Sequence, residues 1–360
     1  MPSAFQTGIV FFVILGILVY FHEFGHFSVA KLLGMKVSEF ALGFGPRLVT
    51  LGRRKGTEYT IRAIPLGGFV RLPGMEIESP EEFRELEGIE PEEAFIVQPI
   101  WKRALVIFAG PFASLLLGYL VFIIAGMAFG WPTDKVLPQV EYVMPGKPAA
   151  NIGIKHGDII REINGIRIKD GKQVVDYIHV HPKQKVVLVV ERDGRTFTRT
   201  TVTESVPVGK GKNEGRLGFI AATQMERTGV IDSIKQGTIG TYAYIVNFAQ
   251  TLFSKQVTKS VGGIVAIARV TDETIQYGPR YVALELAFLS LTLAFINLIP
   301  WPILDGGHLL FLAIERIRGK RLSPKVQISI TQIGFAMLIA LALFLVYLDI
   351  SRWVSGTPLQ

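Results

Sequence analysis

The sequence predicts a multi-span α-helical membrane protein, with four transmembrane helices and a small soluble domain inserted among them. Four stretches are continuously apolar over the roughly 20 residues that a bilayer crossing takes: 8–33, 104–129, 281–299 and 328–348. Charged residues make up only 19% of the 360, against about 25% in a soluble domain. Mean hydropathy is +0.38. An isolated span must satisfy its backbone internally, so all four stretches read as helices.

The elements follow in order. The first span falls within 1–33 and contains His22-Glu23-Phe24-Gly25-His26. Met1 to Thr7 carries no basic residue, and no Ala-x-Ala pattern follows, so the run is expected to stay as a span and not to act as a cleaved signal. Segment 34–100 holds Tyr59 to Ile64 and Phe69 to Leu72, which read as strands joined by a tight turn at Pro65-Leu66-Gly67-Gly68. Residues 76–93 are Glu-rich and read as a solvated helix or loop. The second span lies in 101–130, opening after Trp101-Lys102-Arg103. Residues 135–208 read as the soluble domain, with short strand candidates and turns at Asn164-Gly165 and Asp193-Gly194.

Within 209–280, a flexible connector at 209–215 precedes an amphipathic helix at 229–255. Tyr242, Tyr244, Phe248 and Phe253 are its candidate interfacial anchors. The third span lies in 281–303, a loop in 304–326 and the fourth span in 327–349.

The formal net charge is +8. Its placement indicates membrane topology, not nucleic acid. Lys36, Arg47, Arg53, Arg54, Lys55, Lys102 and Arg103 lie between the first two spans, and Arg316, Arg318, Lys320, Arg321 and Lys325 between the last two. The positive-inside rule then places 34–100 and 303–326 in the cytoplasm, with the N-terminus, 130–280 and the C-terminus outside. The chain has no cysteine, which excludes thiolate catalysis and Cys-ligated metal; any metal must use His and carboxylates.

His22 and His26 are four residues apart, one helical turn on one face, which lets two imidazoles bind one Zn²⁺. Glu23 beside them is placed to take a proton from water activated by the metal. Gly25 is expected to leave the helix surface open to metal and substrate. Ionisable groups at such depth cost roughly 2.5–3.5 kcal/mol each and are usually functional. A third protein ligand is needed. Asp305 is the first candidate and His308 its rival. Pro300 and Pro302 break the third helix, and Gly306-Gly307 gives flexibility beyond it, so a carboxylate there can point back into the bundle.

The pairing of HEFGH in the first span with Asn297-Leu-Ile-Pro-Trp-Pro-Ile-Leu-Asp305-Gly-Gly-His308 near the third resembles the site-2 protease family of intramembrane zinc metalloproteases, bacterial type. Pro65-Leu-Gly-Gly-Phe-Val70, Trp101-Lys-Arg-Ala104, Ala109-Gly-Pro-Phe112 and Lys259-Ser-Val-Gly-Gly-Ile264 fit in order, and Ala149 to Val175 is similar to a PDZ domain, through Gly157-Asp-Ile-Ile160 and Ile163-Asn-Gly165. The resemblance implies Zn²⁺ on His22, His26 and Asp305, with Glu23 as acid/base. It implies substrate or transition-state contact at Asn297, in the Pro300/Pro302 context. It also implies a membrane-associated β-element, where Gly67 and Gly68 would receive substrate or simply form a hairpin turn. Expected substrates are single-span membrane proteins such as anti-sigma factors, or signal-peptide remnants. An upstream site-1-type protease would trim them, and the PDZ-like domain would filter or recognise the trimmed end. The expected location is the bacterial inner membrane. Ser114 and Thr292 stand where members often have Asn, and Trp301 is bulkier than the usual aliphatic.

Overall fold

The computed structural model describes residues 3–75, 91–208, 212–252, 254 and 262–355. The acidic stretch from 76 to 90, the 209–211 part of the connector, Phe253 and most of Lys259-Ser-Val-Gly-Gly lie outside the described residues. Two compact units are present, one combining residues up to Ala125 with Ile234–Tyr347, the other containing Gly126–Ser233.

Among the described residues, four helices are long and apolar enough to cross a membrane, and most of their length lies in the first unit. They are α1 (Ala4–Leu32), α2 (Ile100–Phe129), α7 (Pro279–Asn297) and α9 (Pro324–Ser355). Ser3 opens α1 with a reciprocal capping box to Gln6. The helices are apolar all round, and Phe5, Phe12, Leu120, Leu343 and Phe344 are exposed, as lipid-facing side chains must be. Where α1, α2 and α7 meet, Ile14, Leu18 and Leu117 are buried, with Val282, Leu286 and Leu293 packed on them. A second core of Ala30, Met35, Val37, Leu72, Phe95, Val106, Ile107 and Leu312 closes the opposite end.

Between α1 and α2 lie β1 (Glu39–Arg54) and β2 (Thr57–Arg71), antiparallel about a turn at Lys55-Gly56. Both turn residues have positive φ, 48° and 79°, the backbone a two-residue hairpin requires. The tight turn expected at 65–68 is therefore absent: Pro65 to Gly68 lie inside β2. The strand bends there instead. Residues 39–42 of β1 pair with 58–61 on one side and with 68–71 on the other. Glu39, 2% exposed, fastens the bend, accepting from Thr60 Oγ1 at 2.7 Å and Arg62 Nη2 at 2.8 Å. Burial opposes its charge, but these bonds and the field of Arg62 and Arg47 hold its carboxyl below the usual range.

The second unit carries a sheet of order β10-β3-β4-β6-β7, with β5 paired to β4. Its strands are β3 (Trp131–Val143), β4 (Ile159–Ile163), β5 (Ile166–Arg167), β6 (Lys185–Arg192), β7 (Arg195–Val202) and β10 (Phe219–Glu226). Along β6, alternate residues Val186, Leu188 and Val190 point inward and are fully buried. They pack with Val140, Ile160, Ile163 and Leu217, and with Val174 and Ile178 of α4 (Gly171–His179), a helix capped by Asp170. A four-residue helix, α3 (Pro148–Asn151), precedes β4. Asp158 is fully buried and receives a two-point ion pair from Arg192, at 2.6 and 2.8 Å. Its place after Gly157 is thus structural.

The soluble domain runs past 208. Asn213 to Gly215, expected as the end of the 209–215 connector, form β9 (Asn213–Arg216) with the next residue, against β8 (Glu204–Pro207), and β10 pairs with β3. β8 and β9 have four residues each, and the eight residues of β10 are mostly half-buried without regular alternation, so their pattern alone is too weak to extend the domain.

Two further departures lie in the first unit. The 209–280 stretch also supplies α5 (Val230–Leu252) and α6 (Ile264–Tyr277). Tyr244 and Phe248 are packed anchors, not lipid-facing ones: Tyr244 stacks on Phe288 at 4.7 Å and bonds Thr292 at 2.6 Å, and Phe248 meets Phe295 edge-on. Tyr242 is exposed. The stretch after the third span is not a loop but a helix, α8 (Asp305–Arg318). Arg103 at the start of α2 grips it through a two-point pair with Glu315, at 2.6 and 3.0 Å.

Candidate metal centre

Three elements converge on one point. His22 and His26 lie on the buried face of α1. Asp305 opens α8, where the helix N-terminus favours a negative side chain. The chain between α7 and α8 is short and tightly folded: Trp301 N–H donates to the Ile299 carbonyl at 2.7 Å, and Leu304 N–H to the Trp301 carbonyl at 2.9 Å. That fold carries Asp305 back to α1.

Asp305 Oδ2 is 3.1 Å from His22 Nε2 and 3.5 Å from His26 Nε2, and the two imidazole nitrogens are 3.4 Å apart. Ligands about 2.0–2.1 Å from a tetrahedral Zn²⁺ stand roughly 3.3–3.4 Å from each other. Asp305 Oδ2 is buried and, apart from these ion-pair contacts, has no hydrogen-bond partner. A buried carboxylate oxygen left so is costly unless something claims it. Among the described residues, His22, His26 and Asp305 form the group able to hold a metal. The donors fit zinc in number, type and spacing.

The other ring nitrogens are also held. His26 Nδ1 is 2.8 Å from the Val106 carbonyl, an acceptor only, so Nδ1 carries the proton and Nε2 is free to ligate. His22 Nδ1 lies 3.0 Å from Ser114 Oγ. Ser290 Oγ in turn donates to the Ser114 carbonyl at 2.6 Å. Ser114, flagged in sequence only as a departure from Asn, thus holds one imidazole.

Glycines let these helices approach. A Cβ at Gly25 would strike the Ala109 carbonyl and Ala113 on α2, and one at Gly110 would strike the His26 imidazole. The expectation that Gly25 opens the helix to metal and substrate is overturned: Gly25 is buried where α1 crosses α2. Gly306 and Gly307, expected to give flexibility, are buried in α8, where Cβ atoms would strike the carbonyls of 298, 299 and 301. Gly110 stands in the sequence reading only as part of the Ala109-Gly-Pro-Phe112 match, with no packing role of its own.

The site opens into a cavity of about 700 Å³. Glu23, Asn297 and the strand segment Gly67 to Val70 line it. Asn297 Nδ2 is 3.4 Å from His22 Nε2. A Cβ on Gly68 would lie 3.2 Å from Glu23 Cγ and 2.8 Å from Val19 Cγ1, so the strand runs directly over the carboxylate. His308, the rival ligand, lines the cavity but stays outside the ligand group; burial pulls its imidazole below the usual range. Pro300 and Pro302 do not line the cavity. Pro302 packs on Gly334 of α9, to whose carbonyl Trp301 Nε1 donates at 3.2 Å. These residues fix the connection and do not touch the cavity.

A putative zinc metalloprotease of Rhizobium meliloti is 34% identical over 363 residues, covering 96% of each chain. The zinc metalloprotease RasP of Geobacillus kaustophilus is 30% identical, over 98% of this chain and 100% of its own. The regulator of sigma-W protease RasP of Bacillus subtilis is 29% identical, over 96% and 99%. The PDZ domain of an SdrC-like protein from Listeria innocua is 25% identical over 25% of this chain and 97% of its own, with a TM-score of 0.21. So low a score leaves the fold of the soluble unit to be argued from its own strands. The model of peptidase family M50 matches residues 10–341, and the chain belongs to that family.

Proposed function

We propose that this chain is an intramembrane zinc metalloprotease that hydrolyses peptide bonds within transmembrane segments of membrane-anchored substrates. One observation carries the reading: His22, His26 and the otherwise unpartnered Asp305 Oδ2 converge in a cavity that Glu23 also lines. Zn²⁺ held there supplies Lewis acidity, polarising the scissile carbonyl and lowering the pKa of water to about 7. Glu23 takes the proton from the attacking water and returns it to the leaving amine. The Asn297 amide, 3.4 Å from His22 Nε2, would donate to the developing oxyanion. Val106 and Ser114 keep both imidazoles oriented through the cycle.

A helical substrate must unwind before its carbonyl can be reached. Residues 68–71 of β2 pair with β1 on one side; among the described residues no strand occupies the other. That edge, facing the cavity, would accept an extended substrate by strand addition, with Gly67 and Gly68 leaving room above Glu23. The basic loops support cytoplasmic placement of this element and of α8, with the soluble unit and both termini outside a bacterial inner membrane. We read the soluble unit as a PDZ-like filter. It would admit substrates already shortened by a site-1-type protease. The name of the Bacillus subtilis relative supports membrane anchors of regulators such as anti-sigma factors as substrates; signal-peptide remnants fit the same chemistry.

Purified chain should carry about one zinc and cut a single-span substrate within its apolar segment. Chelation should stop cleavage and zinc should restore it. Cleavage that persists without metal would refute the reading.

A further inference from the structure

α1 has a second face. Tyr20, Phe24 and Phe27 recur at helical spacing and point away from the catalytic cavity, which none of them lines. With Phe40 and Tyr59 of the β-element they form a connected set of rings. Tyr20 stacks on Phe24 at 5.7 Å, Phe27 meets Phe40 at 5.5 Å, and Phe40 meets Tyr59 at 6.0 Å. The rings line a cavity of about 570 Å³ that shares no residue with the catalytic one. Leu51, Gly52, Arg53 and Arg54 complete its wall.

Among the described residues, the charge at this wall is not neutralised. Arg47 of the same strand pairs with Glu58 and Glu39, and Arg62 with Glu39. Arg53 and Arg54 pair with β2 only through the strand backbone; their exposed guanidinium groups have no ion-pair or hydrogen-bond partner among the described residues. Lys31, one turn beyond Phe27, ties the end of α1 to the hairpin by donating to the Lys55 carbonyl at 3.0 Å, which adds a third cation nearby. Leu48 and Leu51, each 65% exposed, continue the apolar surface along β1.

We infer that this cavity is a binding site for one anionic phospholipid, its acyl chains against the rings of α1 and its phosphate on Arg53 and Arg54. A strip of rings running down a membrane helix matches hydrocarbon. Two free guanidiniums at its end match a phosphate, which they bind in forked geometry. Cationic side chains near an anionic leaflet gain about 1 kcal/mol each. A substrate segment is the poorer occupant, because a peptide bound here lies outside the cavity that Glu23 lines. The inference needs α1 to cross the bilayer; it does not need the protease to be active.

The test is native mass spectrometry of the purified full chain, titrated with phosphatidylglycerol or phosphatidylcholine of the same acyl chains. Wild type should bind phosphatidylglycerol about thirty-fold more tightly, the effect of two such cations. Arg53→Gln with Arg54→Gln should reduce the preference to about twofold or less, while zinc content stays unchanged. Arg53→Lys with Arg54→Lys should keep most of it, which separates charge from misfolding. Phe24→Ala should weaken both lipids alike. Equal affinities of wild type for the two lipids, or a preference that survives the double Gln variant, would overturn the inference. Displacement of phosphatidylglycerol by millimolar inorganic phosphate would overturn it too, by showing a free-anion site.

Discussion

The two faces of α1 differ in what they need from the rest of the chain. The face with His22 and His26 is incomplete alone: it takes its third ligand from α8 and its ring-orienting groups from α2. The face with Tyr20, Phe24 and Phe27 is completed by one neighbour, the adjacent hairpin. Catalytic geometry in this protein is therefore a property of helix packing, whereas the aromatic cavity is local to α1 and the hairpin that follows it.

Removing the distant ligand should break the comparison most sharply. Asp305→Ala should leave less than about a tenth of a zinc per chain, since a catalytic set of three protein ligands is reduced to two. Metal analysis after gel filtration reads this out, and cleavage should fall below detection. The aromatic face should be unaffected.

Next in size is the grip that places α8. Arg103→Met leaves the partly buried Glu315 carboxylate with Arg321, at 3.2 Å, as its remaining partner, a loss of about 2 kcal/mol; thermal unfolding should shift down and zinc should be lost more readily on dialysis. Glu315 gives the pH signature. Burial works against its charge, but Arg103 and Arg321 outweigh that and hold its folded pKa low. The stabilisation is present above the unfolded value of about 4.3 and is lost as pH falls through the lower folded value. Thermal scans across pH 6 to 3 should show a fall that Glu315→Gln reduces.

Smaller again is the ring-orienting contact. Ser114→Ala should weaken zinc affinity about 10–100-fold with the fold intact, and Ser114→Asn should restore most of it. Competition with a chelator of known affinity measures both. Smallest of all, Tyr20→Leu on the opposite face should leave zinc affinity within about twofold, an exposed position away from the site.

The sequence made the chemistry legible where it sits in short motifs. His22, Glu23 and His26 share one turn of one helix, and Asp305 follows a break marked by Pro300 and Pro302. Convergence over 279 or more residues is not encoded in any local period, so in the sequence the choice of Asp305 over His308 rests on the family resemblance, and its geometric reason lies in the fold of 298–304. Glycines were legible as exceptions but misread in role. Gly25, Gly306 and Gly307 are sites of close backbone approach, and that depends on partners far along the chain. Pro65 to Gly68 has the composition of a turn, yet pairing with β1 on either side of the bend keeps it inside a strand. The strands of 204–226 were missed because short, half-exposed strands carry almost no alternation.

Glu23 is the group on which the proposed reaction turns, and it lies on the catalytic face of α1 without belonging to the ligand group. Glu23→Gln removes the base while preserving shape. With a single-span substrate in detergent or vesicles, the variant should retain about one zinc per chain and lose cleavage by roughly 10²–10⁴-fold. Cleavage at the wild-type rate with zinc in place would contradict the account.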